Sequence, residues 1–259
     1  MSEPETAGRF ASRESDAADM RSIEEFLDEA LITEVLNVIR SGKEATVYRC
    51  KAHRSLGATF AAAKVYHSSG HRSFHSAAGY EAGRHFGPGQ VQRAVARRTG
   101  FGQEARLSAW VGREFDLLSA LNYAGADVPA PYACTDTAIL MEYVGDAAGP
   151  APQLQHADLD PEDAQPLFDR VLENVELLLR ANVVHGDLSA FNILYNAGRL
   201  RIIDFPQAVD PRESPAARKL LERDIRNVVE FFQRRGAGLD EDPAEMARNL
   251  WDLWRFAEI

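Results

Sequence analysis

The sequence has little cysteine and no long apolar run, and these shortages exclude several classes of protein. Its 259 residues contain two cysteines, Cys50 and Cys134, which are far apart and lack metal-ligand spacing. We therefore expect buried free thiols rather than a disulfide framework or a zinc site. No uncharged apolar run approaches the ~18 residues of a membrane span. The first residues have neither the basic start nor the apolar core of a signal peptide, so we expect a cytoplasmic protein with no membrane partner.

The chain is also short of positive charge, and of lysine in particular. The net charge is -10. This acidity argues against a protein that coats nucleic acid, and we expect no DNA partner. The basic residues are 25 arginines and only 4 lysines, so the position of each lysine is informative. The hydrophobic fraction of 45% is enough for a real core. The length suits one large domain or two lobes.

The stretch from 183 to 208 carries the strongest functional signal. Asp187, Asn192 and Asp204 follow one another at spacings of five and twelve residues. Two short apolar runs lie between Asn192 and Asp204, and residues 196–198, Asn-Ala-Gly, have the composition of a hairpin turn between them. Such a hairpin brings Asn192 and Asp204 together as oxygen ligands for Mg²⁺, with Asp187 beside them. This arrangement indicates phosphoryl transfer, with Asp187 accepting a hydroxyl proton.

An ordinary β-hairpin with three polar residues in its flanking loops is the alternative. The surrounding residues count against it, since His185 and Gly186 precede Asp187 and an Ile-Ile-Asp-Phe segment contains Asp204. We expect His185 to fix the loop from inside the core rather than to act in catalysis.

The amino-terminal part is predicted to contain a tail, a helix and three strands. Residues 1–20 are polar and lack an apolar period, which is typical of a disordered tail. Ser22 to Glu25 has the pattern of a capping box that begins a helix. Three apolar segments then predict successive strands, at residues 35–39, 45–48 and 60–66.

Two lysines of this part are candidates for phosphate binding. Ser41 and Lys43 lie between the first two strands, where a plain hairpin turn is the alternative. Lys64 follows three alanines on the third strand, where small side chains leave room for a flat base. A buried lysine needs a carboxylate partner. Glu114 is the candidate because it shares a helical face with apolar residues, although it could also lie on the surface.

A long polar segment separates these two elements. Between Tyr66 and Gly102 the chain is rich in Ser, Gly, His and Arg. Loops of this length are usually functional or disordered. We expect the segment from about Ser68 to Gly100 to be mobile and to carry an autophosphorylation site at Ser73 or Ser76. Contact with RNA, phosphate or an acidic partner, or a solvated linker, are the alternatives.

The remaining elements are two strands and three helices. Strands are predicted at 132–134 and 138–143, and the extended residues Met141 to Tyr143 would offer backbone groups to an adenine edge. Asp160 and Pro161 predict the start of a helix, and Asp242 and Pro243 predict another. A further helix is expected from about Ser214.

Four segments in order resemble the RIO family of atypical protein kinases. They are Ser-Gly-Lys-Glu-Ala-Thr-Val-Tyr at 41–48, His-Gly-Asp-Leu-Ser-Ala-Phe-Asn-Ile-Leu at 185–194, Ile-Ile-Asp-Phe-Pro-Gln-Ala-Val at 202–209 and Leu-Glu-Arg-Asp-Ile at 221–225. The resemblance implies an α+β, two-lobed protein-kinase-like fold with an extra N-terminal helix and a truncated C-lobe. Residues 21–145 would form the N-lobe and residues 146–259 the C-lobe.

The resemblance also implies roles for single residues. Asp187 would be the catalytic base, Asn192 and Asp204 would bind Mg²⁺, and Lys64, backed by Glu114, would hold the phosphates of ATP. Ser41 and Lys43 would belong to the phosphate loop, and Met141 to Tyr143 to the hinge. The usual lysine two residues beyond the base is Ser189 here. We therefore expect ATP hydrolysis or autophosphorylation to be more evident than transfer to added peptides.

Three functions remain open from the sequence. The first is an ATP- and Mg²⁺-dependent serine/threonine kinase that acts on itself or on an unknown protein. The second is a small-molecule phosphotransferase of the aminoglycoside or choline kinase type. The third is a nucleotide-gated assembly factor with a ribosomal particle as its partner.

Overall fold

The structure, a computed structural model, describes residues 19–67, 100–239 and 242–259. Most of the predicted tail and the predicted mobile segment, including Ser73 and Ser76, lie outside these residues. The described chain divides into two compact units. Unit one contains residues 19–67, 100–116 and 131–143, and unit two contains residues 117–130, 144–239 and 242–259.

Unit one is built on a five-stranded antiparallel sheet with the strand order β1-β2-β3-β5-β4. The strands are β1 (Ile32–Ser41), β2 (Ala45–Ala52), β3 (Phe60–Tyr66), β4 (Pro131–Cys134) and β5 (Ala138–Glu142). Helix α1 covers residues 19–28. Helix α2 (Gly100–Tyr123) begins in unit one and ends in unit two.

Alternate residues of β3 serve two separate cores, as the period of two in a strand requires. Ala61, Ala63 and Val65 join Ile23 and Phe26 of α1 in one buried cluster. Ala62 and Tyr66 join a second cluster with residues of α2. The sheet is therefore covered by a helix on each face, and Lys64 lies on the α2 side.

Two expectations for unit one are wrong. Ser22 does not begin a helix, because α1 already includes residue 19, and the Ser22 hydroxyl instead accepts a hydrogen bond of 2.7 Å from Thr137 Oγ1. Both cysteines are free, but only Cys50 is buried. Cys134 is the last residue of β4 at the edge of the sheet, and its position leaves it exposed.

Unit two combines three helices with a two-stranded hairpin. The helices are α3 (Pro161–Arg180), α4 (Ala217–Gln233) and α5 (Pro243–Arg255), and the hairpin strands are β6 (Ile193–Asn196) and β7 (Arg199–Ile202). The predicted caps Asp160 and Asp242 are confirmed. Helix α4 begins three residues after Ser214. No helix of the described residues is long and apolar enough to cross a bilayer.

Asp127 attaches the hairpin to helix α3. Its backbone oxygen accepts a hydrogen bond of 2.7 Å from Ile202 N at the end of β7. Its carboxylate accepts bonds of 2.5 Å from Arg170 Nε and 2.8 Å from Asn174 Nδ2, both on α3. The bond to Asp127 is the main reason that the pKa of Arg170 is raised. These bonds hold β7 in place just before Asp204.

Candidate functional site

The predicted hairpin between Asn192 and Asp204 is confirmed. β6 and β7 pair from Ile193 with Ile202 to Asn196 with Arg199. Ala197 and Gly198 form the turn with φ of 49° and 79°, the left-handed conformation that two-residue hairpin turns need. At the open end, Ile203 N donates to Asn192 O at 2.9 Å. The chain therefore brings the segments that contain Asn192 and Asp204 together.

Asn192 also holds the segment that contains Asp187. Its Nδ2 donates to Asp187 O at 2.8 Å and to Asp187 Oδ2 at 3.2 Å. Since the amide nitrogen makes both bonds, the amide oxygen is the atom of this side chain that can coordinate a metal ion. The Asp187 side chain is 57% exposed, so a substrate can reach its carboxylate.

Asp204 has an unusual backbone conformation, with a φ of 72° directly after the hairpin. Aspartate tolerates the left-handed region better than most residues, but the conformation still costs energy. Such outliers concentrate at functional sites. The side chain is exposed, so an incoming metal ion can reach its carboxylate.

His185 fixes the loop from inside, as expected. It is buried, and its Nε2 lies 3.2 Å from Ile203 O while its Nδ1 lies 3.3 Å from Asp187 N. One neutral tautomer satisfies both contacts, since Nε2–H donates to the carbonyl and Nδ1 accepts from the amide. Burial lowers the pKa of His185, which favours this neutral form. Its ring also packs against Phe205, with 4.7 Å between centroids.

Helix α4 supplies a support that the sequence interpretation missed. Asp224 is buried and accepts hydrogen bonds from Gly186 N at 2.7 Å and from Leu188 N at 3.0 Å. Asn227 Nδ2 donates to Leu188 O at 3.1 Å, and Arg223 Nη2 donates to Gly186 O. The backbone on both sides of Asp187 is therefore held by one helix. The signal in the sequence that could have indicated this support is an acidic residue among the inward apolar residues of α4.

Gly186 is required by its close approach to a neighbouring backbone. Its φ is 77°, and a Cβ at this position would lie 2.4 Å from Gln207 O. No side chain fits that distance, and the conformation itself disfavours any residue other than glycine.

The burial of Asp224 predicts a pH dependence of stability. Desolvation raises its pKa from 3.8 to about 7, although the two backbone amides oppose the shift. Across that window the folded protein holds a proton that the unfolded chain has released. The free energy of unfolding should therefore fall with rising pH, by up to about 1.4 kcal/mol per pH unit.

Denaturant unfolding of the wild type and of Asp224→Asn across this window tests the prediction. The variant is expected to be less stable but to lack this component of the pH slope. Equal slopes for the two proteins would show that Asp224 does not titrate there.

In unit one, the predicted ion pair between Lys64 and Glu114 is confirmed. Lys64 Nζ lies 2.8 Å from Glu114 Oε1, and the side chains are 15% and 6% exposed. Tyr66 lies beside the pair, with its ring centroid 5.0 Å from Lys64 Nζ, and packs edge-on against Trp110. Burial, followed by the charge of Glu114, raises the pKa of Tyr66. The ammonium group of Lys64 is therefore held on the face of the sheet that α2 covers, next to small side chains.

Breaking this pair should destabilise the protein. Lys64→Met leaves the Glu114 carboxylate buried without its partner, which costs about 3–5 kcal/mol. The double variant Lys64→Met/Glu114→Leu should recover most of this loss. Thermal unfolding measures the effect, and Lys51→Met, an exposed lysine on β2, is the matched control. If Lys64→Met and Lys51→Met had the same melting temperature, the ion pair would contribute nothing to stability.

The other predicted residues of unit one lie at the ends of strands or directly after them. Ser41 ends β1, and its hydroxyl lies 3.2 Å from Thr46 Oγ1, while Lys43 is exposed in the turn that follows. Met141 is buried in β5. Tyr143 follows that strand and contacts Phe60, with 5.7 Å between ring centroids. The turn and the strand end thus have the predicted local structure, and their roles toward a nucleotide stay predictions.

The oxygen atoms of Asn192 and Asp204 suit Mg²⁺ rather than a softer metal. Within the residues that the structure describes, no three His, Cys, Asp or Glu side chains gather as a metal site. Mg²⁺ is usually held by one or two carboxylates together with substrate phosphates and water. An amide oxygen and a single carboxylate therefore fit a metal that arrives with a nucleotide.

Sequence comparison identifies relatives of this chain. The sequence model of the RIO domain matches residues 35–244. The RIO-type serine/threonine-protein kinase Rio1 of Thermoplasma acidophilum is 36% identical over 136 residues, which are 52% of this chain and 70% of that protein. The human serine/threonine-protein kinase RIO1 is 30% identical over 240 residues, which are 86% of this chain. The chain covers only 39% of the human protein.

Structural comparison identifies the fold. The Rio2 kinase of Chaetomium thermophilum, in a crystal structure of its ADP/Mg²⁺-phosphoaspartate complex, matches with a TM-score of 0.62 and 22% identity. The match covers 91% of this chain and 69% of that one. The predicted α+β protein-kinase-like fold is therefore confirmed. Because the RIO domain match extends over most of the sequence, the chain belongs to the RIO family of atypical serine/threonine protein kinases.

Proposed function

We propose that this chain is an ATP- and Mg²⁺-dependent serine/threonine kinase. The observation that carries the proposal is the loop at Asp187, whose carboxylate is exposed while the backbone around it is bonded to Asn192 and to helix α4. A general base must be both reachable and fixed. Support also comes from the relatives, which are named serine/threonine-protein kinases.

Each residue has a separate task in this proposal. Asp187 accepts the proton of the serine or threonine hydroxyl, which is a poor nucleophile near neutral pH. Asn192 and Asp204 hold the metal through oxygen atoms, and Lys64, oriented by Glu114, holds the phosphates of ATP. Ser41 and Lys43 contact phosphate as well, and the strand end from Met141 to Tyr143 binds the base. When bound, Mg²⁺ supplies charge neutralisation for the phosphates.

The acceptor is the finer part of the proposal. We place it on the chain itself or on another protein, with ATP hydrolysis as a side activity. Ser189 follows the base and brings no positive charge to an incoming peptide. Autophosphorylation should therefore exceed transfer to added peptides.

Incubation with γ-labelled ATP tests the function. The purified chain is incubated with ATP and Mg²⁺, alone and with cell lysate, and a chelator is added to a parallel sample. We expect label on protein, or released phosphate, that depends on Mg²⁺. Treatment with hydroxylamine separates phosphoserine from an acyl phosphate such as the phosphoaspartate of the Rio2 complex. Absence of both label and released phosphate would contradict the kinase assignment.

A further inference from the structure

The guanidinium of Arg223 lies beside the exposed carboxylate of Asp187. Arg223 reaches from helix α4, where its Nη2 lies 3.9 Å from Asp187 Oδ1 and donates a hydrogen bond to Gly186 O. The loop itself offers no positive charge after the base, because Leu188 and Ser189 follow it. Within the described part of the chain, the positive charge found beside Asp187 belongs to Arg223, 36 positions later in the sequence.

Arg223 differs from the other residues of α4 that hold this loop. Asp224 and Asn227 bond to backbone groups, a task that needs only hydrogen bonds. Arg223 also bonds to the backbone, but it brings a full charge, and its side chain is 49% exposed. An uncharged donor would be enough if the backbone bond were its only task.

The charge of Arg223 can serve an electrostatic role at Asp187. A nucleotide adds several negative charges near a carboxylate that must stay aimed at the acceptor. A fixed cation beside the carboxylate offsets this repulsion and restricts its orientation.

We propose that Arg223 is a positioning residue for phosphoryl transfer, whose charge holds the Asp187 carboxylate in its working orientation. This inference rests on the kinase activity proposed above. It assigns to helix α4 a part of the reaction in addition to its support of the fold.

Arg223→Gln is the test, because glutamine keeps a donor for the Gly186 carbonyl but has no charge. A misplaced base costs about a hundredfold in rate. We therefore expect kcat to fall by about that factor, with KM for ATP and the melting temperature close to those of the wild type. Arg226→Gln, an exposed arginine on the same helix, is the matched control and should match the wild type.

Restoring a charge should restore the rate. Arg223→Lys should keep most of the activity, and Ser189→Lys added to Arg223→Gln should recover at least about tenfold of the lost kcat. The inference is overturned if Arg223→Gln behaves like Arg226→Gln. It is also overturned if Arg223→Gln unfolds, or if neither lysine variant is active, because Arg223 would then only support the backbone. A wild type without any turnover would instead overturn the kinase assignment itself.

Discussion

Replacing Asp187 with alanine should leave ATP affinity within a few-fold of the wild type and lower turnover by at least about a hundredfold. In the proposed mechanism the carboxylate accepts the hydroxyl proton and does not hold the nucleotide, so ATP binding and the chemical step should separate. The loop should keep its backbone conformation, because Asp224 and Asn227 bond to Gly186 and Leu188 rather than to the Asp187 side chain.

Nucleotide titration and steady-state kinetics measure the two quantities independently. Asp252→Ala, an exposed aspartate on α5, is the control for a carboxylate lost elsewhere and should behave like the wild type. If Asp187→Ala lost ATP binding while its bound fraction reacted normally, Asp187 would be structural. The assignment of the catalytic base would then be wrong.

Asp204→Asn should remove most of the Mg²⁺-dependent turnover. Asparagine also tolerates the left-handed region, so the backbone at a φ of 72° can remain while the charge of the proposed metal ligand is lost. A metal ion contributes several kcal/mol to stabilising the transferred group. Losing about 3 kcal/mol of that stabilisation corresponds to a decrease in rate of about a hundredfold.

The dependence of rate on Mg²⁺ concentration distinguishes a lost ligand from a damaged fold. The half-saturating Mg²⁺ concentration should rise in Asp204→Asn, while the melting temperature should change little. Asp252→Asn provides the control. An unchanged Mg²⁺ dependence in Asp204→Asn would exclude this carboxylate as a ligand.

Local signals in the sequence were enough to predict the parts of the site that lie close together in the chain. The hairpin follows from its turn residues, since Ala197 and Gly198 adopt the left-handed conformation between two apolar runs. The ion pair of Lys64 is longer in range, but the sequence still signals it. A lysine in a buried strand needs a carboxylate, and Glu114 is the acid on an inward helical face.

The contacts that helix α4 makes with the loop at Asp187 could not be predicted in the same way. Arg223, Asp224 and Asn227 lie 36 to 39 residues beyond their partners, and only the packing of the folded helix brings them to the loop. The sequence pattern places apolar residues of α4 inward, and it does not show which backbone groups a buried acid among them will meet.

Similar long-range packing explains the error at Ser22. Its capping pattern is a local signal with a real physical basis. In the structure the helix includes the residues before it, and the hydroxyl bonds to Thr137 on the sheet instead. A tertiary contact therefore uses a side chain that local rules assign to a cap.

A single-turnover experiment tests the proposed role of Asp187 in phosphoryl transfer most directly. Wild type, Asp187→Ala and Asp204→Asn are each saturated with γ-labelled ATP before Mg²⁺ is added. The wild type is expected to transfer or release label only after Mg²⁺ arrives, while both variants keep it as bound ATP over the same time. Equal turnover by the three proteins, or turnover before Mg²⁺ is added, would contradict the roles of Asp187 and Asp204.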